Sequence, residues 1–116
     1  MKPRLKTHPN GIKEWQLNGF LHREDGPAYI NPDGTKAWYI DGKLHREDGP
    51  AVEYSNGSKI WCIDGIYHRE DGPAIEHSDG IKEWRLNGKD YKEKDYWKEL
   101  YRRKKITKNE LFLKLL

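Results

Sequence analysis

Apolar and polar positions alternate along most of this chain, and the alternation restarts every 23 residues. In Thr35-Lys36-Ala37-Trp38-Tyr39-Ile40 the tryptophan and the isoleucine share one face of an extended strand. Trp15 with Leu17, Trp61 with Ile63 and Trp84 with Leu86 repeat the arrangement. The other face carries Glu14, Gln16, Tyr39, Cys62, Glu83 and Arg85, a mixed and wetter set. Each strand runs into Asn18-Gly19, Asp41-Gly42, Asp64-Gly65 or Asn87-Gly88. Such dipeptides suit a type I′ hairpin turn, whose two central residues both need φ > 0. Asn10-Gly11, Asp33-Gly34, Asn56-Gly57 and Asp79-Gly80 mark bends in a second register. Short second strands are expected at 28–30, 51–54 and 74–77. The pattern predicts a mainly β fold, a ribbon of small antiparallel hairpins with the Trp/Ile row as a thin continuous core.

The repeat is most exact between the strands. His-Arg-Glu-Asp-Gly-Pro-Ala stands at 22–28, 45–51 and 68–74. Units 29–51 and 52–74 agree at all 7 heptad positions but at only 6 of the other 16. A fixed period of this length marks a stacked array in which no unit buries its apolar face alone. Residues 1–90 are therefore read as four β-hairpin repeats.

The fourth unit breaks the frame, with Tyr91-Lys92-Glu93-Lys94 where another His-Arg-Glu-Asp is due. From Asp95 the spacing turns helical, and Tyr96, Trp97, Leu100 and Tyr101 form one stripe. Thr107 and Glu110 fit a capping box that opens a second short helix. Residues 91–116 are expected to form a C-terminal helical cap over the last hairpin's open edge. An alternative role is a docking helix, since Phe112 to Leu116 leave an apolar end.

Composition restricts the function classes. The 116 residues are 34% hydrophobic and 35% charged, and Cys62 is the single cysteine. No intramolecular disulfide or cysteine-rich zinc site is available, and no stretch approaches a membrane span. A cytoplasmic location is the expectation. Residues 1–88 hold 12 basic and 14 acidic side chains, whereas residues 89–116 hold 10 and 5. The run Arg102-Arg103-Lys104-Lys105 could touch phosphates, but no groove-reading motif accompanies it, and nucleic acid is not the expected partner.

Three copies of His-Arg-Glu invite an active-site reading that strand spacing opposes. Equivalent positions in successive hairpins lie roughly 9–10 Å apart, whereas zinc ligands sit within ~2.2 Å of one ion and catalytic partners within ~3.2 Å of each other. No nucleophile elbow, phosphate loop or metalloprotease pair occurs. Neither catalysis nor a cofactor is expected. The heptad is then either a turn module, with Asp capping the bend and Arg bridging to a Glu or Asp of the neighbouring repeat, or a binding stripe. In the second case His22, Arg23, His45, Arg46, His68 and Arg69 form the site, because arginine forks suit carboxylates and phosphates.

The 23-residue period, the tryptophan followed closely by a turn glycine, and the histidine three residues after that glycine resemble the MORN repeat family over residues 8–88. The resemblance is closer to divergent MORN-like repeats of bacterial and phage proteins than to the eukaryotic motif. The latter has Gly-x-Gly after its histidine, where this chain has Arg-Glu-Asp-Gly-Pro. It implies a MORN-like hairpin-repeat ribbon working as a non-enzymatic protein-binding module, such as a phage-encoded inhibitor of a host factor in the host cytoplasm. The alternative is an immune-evasion protein that sequesters a small anionic ligand, a signalling nucleotide, on rows of Arg, His and Trp. A protein partner is expected first, and homo-oligomerisation stays open.

Overall fold

The turns set the topology. The computed structural model describes residues 1–116. At Asn18-Gly19, Asp41-Gly42, Asp64-Gly65 and Asn87-Gly88 both residues are left-handed, with φ of 50–52° and 77–82°. These are the type I′ hairpin turns expected from the sequence. In the second register only the glycine has positive φ, 91–97°. There it closes a four-residue turn: Gly34 N–H donates to Asn31 O at 2.9 Å and Gly57 N–H to Tyr54 O at 3.0 Å.

Strands joined by the second kind of turn make a continuous antiparallel ladder. Its order is Arg4–Thr7, Lys13–Leu17, Tyr29–Ile30, Lys36–Ala37, Val52–Glu53, Lys59–Ile60, Ile75–Glu76, Lys82–Leu86 and Lys89–Tyr91, with Phe20–Leu21 pairing beside Lys13–Leu17. The two central type I′ hairpins form a second row. Tyr39–Ile40 pairs with Lys43–Leu44, and Cys62–Ile63 with Ile66–Tyr67. Each hairpin is tied to the next, for Arg23 N–H donates to Tyr39 O and Gly42 N–H to Leu21 O. Trp38 stands at the junction of the two rows: its N–H donates to Ala51 O, and its carbonyl accepts from His45 N–H. The result is a slab 51 × 33 × 19 Å across.

Register places the core. Tyr29, Ala37, Val52, Ile60, Ile75 and Glu83 are successive cross-strand partners on one face. Ala37, Val52 and Ile75 are buried there, while Cys62, Ala28, Ala51 and Ala74 are fully buried. On the opposite face Lys36, Glu53, Lys59, Glu76 and Lys82 alternate in charge across the strands, an arrangement that supports pairing.

This overturns one expectation. Trp15, Trp38 and Trp61 are only half-buried, and the residues packed on them are arginines rather than one another. On the face expected to be wetter, Ala37 and Cys62 are buried. The strand breaks at Trp38 and at Trp61, where the chain passes from the ladder to the second row, and alternation alone does not encode that break.

Two helices close the array: α1, Glu93–Arg102, and α2, Lys108–Leu115. Tyr96, Trp97 and Leu100 of α1 pack on Leu86, with Trp84, Tyr91, Ile106 and Leu111 around them. Trp84 and Tyr96 rings lie 5.0 Å apart, so the cap supplies an aromatic cover where earlier repeats supply arginine. The Tyr96 hydroxyl donates to Arg69 O and accepts from Gly72 N–H, satisfying the last heptad's backbone. Thr107 and Glu110 form the reciprocal capping box of α2. Glu99 receives both Arg102 and Arg103, whose guanidinium bonds hold its carboxyl down to about 2. No helix is long and apolar enough to cross a membrane.

Candidate functional site

Each heptad follows directly on the return strand of a hairpin, and its arginine lies back over the tryptophan on the outgoing side. The guanidinium carbons of Arg23, Arg46 and Arg69 lie 3.9, 3.8 and 3.7 Å from the ring centres of Trp15, Trp38 and Trp61. At this distance the cation meets the negative face of the ring. The other side of each guanidinium rests on the heptad glycine. A Cβ built on Gly26, Gly49 or Gly72 would come within 3.0, 2.9 or 2.7 Å of the guanidinium carbon. None of the three has positive φ, so what a methyl group would disturb there is the guanidinium's seat rather than the backbone.

Two of the fork's three nitrogens are taken as well. Arg46 donates through Nε to Asp48 Oδ1 at 3.1 Å and through Nη1 to Pro50 O at 3.1 Å. Arg23 and Arg69 do the same with Asp25 and Pro27, and with Asp71 and Pro73. Glu53 and Glu76 add a second carboxylate at 3.5 and 3.4 Å to Arg46 and Arg69. The aspartate therefore holds the arginine, and the expected role of capping the bend is not what it does.

Histidine ties successive repeats together. Nδ1 of His22, His45 and His68 accepts the backbone N–H of Asp41, Asp64 and Asn87, the first residue of the next hairpin's turn, at 3.1, 3.1 and 2.9 Å. That bond assigns the ring proton to Nε2, which faces Glu24, Glu47 and Glu70 at 3.6, 3.7 and 3.2 Å. The six residues singled out in the sequence are thus adjacent in pairs within each heptad and are engaged internally. The heptads themselves follow one another along the slab. No three His, Cys, Asp or Glu side chains form a group able to hold a metal ion.

Between the heptads runs a trough. One section, of about 680 Å³, spans from Arg23 to Asp48, and another, of about 880 Å³, spans from Arg46 to Asp71. Arg46, Glu47 and Asp48 line both sections. Trp38, Ile40, Trp61 and Ile63 give it apolar walls. Its charge is one-sided: seven carboxylates line it against three guanidiniums, a net of −4 with histidines neutral. Exposure sharpens the imbalance. Glu24, Asp25, Glu47, Asp48 and Asp71 each keep more than four-fifths of the side chain in solvent, whereas Arg23, Arg46 and Arg69 keep less than a quarter.

The carboxylates are what sequence reasoning passed over as site residues. The available signal was numerical, since each heptad carries two acids for one arginine. At the end of the array Lys105 Nζ approaches Glu70 at 3.7 Å, a basic group of the cap already resting on this acidic line. No family model matches the chain, and no curated protein or solved structure matches it.

Proposed function

We propose that the chain is a non-enzymatic, MORN-like repeat module that binds a partner protein through the trough between its heptads, and that the contacted segment of the partner is basic. One observation carries this reading: guanidiniums in the trough are sandwiched and paired, while the exposed groups are carboxylates with apolar walls beside them. Surface charge of one sign in a groove selects and steers partners of the opposite sign. Repetition supports binding over catalysis, because the three heptads present the same groups in series rather than different groups at one point. The same charge distribution disfavours a signalling nucleotide, whose phosphates would meet Glu24, Glu47 and Glu70 before any free guanidinium.

The test compares two fluorescent probes against the full chain at low and physiological salt: a lysine-rich peptide and a labelled nucleotide. Peptide binding that weakens with salt, beside no nucleotide binding, is the expected result. Nucleotide binding without peptide binding would return the site to the arginines and histidines.

A further inference from the structure

We infer that the trough accepts a segment in polyproline II conformation with Lys or Arg at every third residue. This rests on the reading of the trough as a site for a basic partner and adds the partner's register and backbone shape. Each repeat contributes two neighbouring strands to the ladder: Lys36–Ala37 and Val52–Glu53 are followed by Lys59–Ile60 and Ile75–Glu76. Two strand spacings make a rise of roughly 9–10 Å per repeat. The carboxylate pairs Glu24/Asp25, Glu47/Asp48 and Glu70/Asp71 occupy identical heptad positions, so they recur at that rise along the two sections of the trough.

A ligand that satisfies all three pairs must present cations at the same rise and on one side. An extended strand covers about 10 Å in three residues, but its side chains alternate, so residues i and i+3 point to opposite faces. An α-helix needs about six residues for that distance and turns them off one line. Polyproline II has three residues per turn at ~3.1 Å each, which puts residues i, i+3 and i+6 on one edge about 9.3 Å apart. Its hydrogen-bond-free backbone also suits a trough whose own backbone groups are engaged in the ladder. Trp38, Trp61 and the isoleucines beside them supply apolar surface for the rings of intervening prolines.

The experiment uses three labelled peptides of identical composition, each with three lysines in a proline-rich background, spaced at i+2, i+3 or i+4. Affinity for the full chain and for a Glu24→Gln/Glu47→Gln variant is measured by fluorescence anisotropy. Neither glutamate contacts an arginine, and the melting temperature checks that the variant is folded. The i+3 peptide is expected to bind about tenfold tighter than the other two, from two additional charge pairs in register, and to lose that preference in the variant. Equal binding of all three peptides, weakened in the variant, would overturn the register and leave the acidic trough as the site. Binding of none of them at low salt, or i+3 binding that the variant does not weaken, would overturn the trough reading itself.

Discussion

Replacing Arg46 by alanine removes the centre of one module and leaves its two neighbours as internal standards. Stacking on Trp38 at 3.8 Å, with less than a quarter of the side chain exposed, is worth about 1 kcal/mol. The charge-assisted bond to the Pro50 carbonyl adds about 1–1.5 kcal/mol. The pair with the solvent-exposed Asp48 adds no more than about 0.5 kcal/mol. Arg46→Ala should therefore cost about 2–3 kcal/mol, a sizeable share of the stability of a domain this small. For a chain of this length that corresponds to a melting temperature roughly 8–12 °C lower. Arg46→Lys keeps the charge but loses the planar stack and the fork, and should lose more than half as much. Thermal melts followed by circular dichroism, with urea midpoints alongside, measure both variants. A melting temperature for Arg46→Ala within about 2 °C of the parent would refute the structural role assigned to arginine.

Gly49→Ala should cost about 1–3 kcal/mol through the guanidinium 2.9 Å from the new methyl group, and much less in an Arg46→Ala background, as a double-mutant cycle would show. Lys104 ends α1 with φ of 59° while Lys105 N–H reaches back to Leu100 O, so Lys104→Gly should raise stability by about 0.5–1 kcal/mol in urea denaturation. Burial pushes the Cys62 thiol from 9.0 up to about 11 and the Tyr96 phenol from 10.0 up to about 12. Both neutral forms are favoured by folding, so their contribution is complete below pH 9 and declines as the pH rises through the folded values, which urea midpoints at pH 8 and pH 11 would show. At pH 8 the native thiol should react with a disulfide reagent far more slowly than in urea.

Local chemistry was legible in the sequence wherever a residue's role is set by its neighbours in the chain. Asn18-Gly19 and its three equivalents turn as their dihedral preferences require, and Thr107 and Glu110 cap α2 as their spacing indicates. The helical stripe is buried at Tyr96, Trp97 and Leu100 as its spacing indicates, but Tyr101 is exposed. Contacts across the hairpin were not legible. Arg46 reaches Trp38 only after the chain has turned at Asp41-Gly42, and an eight-residue separation has no periodic signature. The same gap hid the core: alternation assigned Trp61 inward and Cys62 outward, whereas Cys62 is fully buried and Trp61 is half-buried with Arg69 over its ring. The heptad's constancy pointed to shared geometry, and each of its residues except glutamate holds its repeat together through a backbone or guanidinium contact. Glutamate, facing solvent beside the histidine, is left for recognition.

Chemical-shift mapping of the labelled full chain, titrated with a lysine-rich peptide, tests that division of roles most directly. Amides that shift with peptide concentration are expected at 24–26, 47–49 and 70–72 and on the trough walls near Trp38 and Trp61, with α2 unmoved. Shifts confined to α2 around Phe112 and Leu113, or no shifts at low salt, would contradict it.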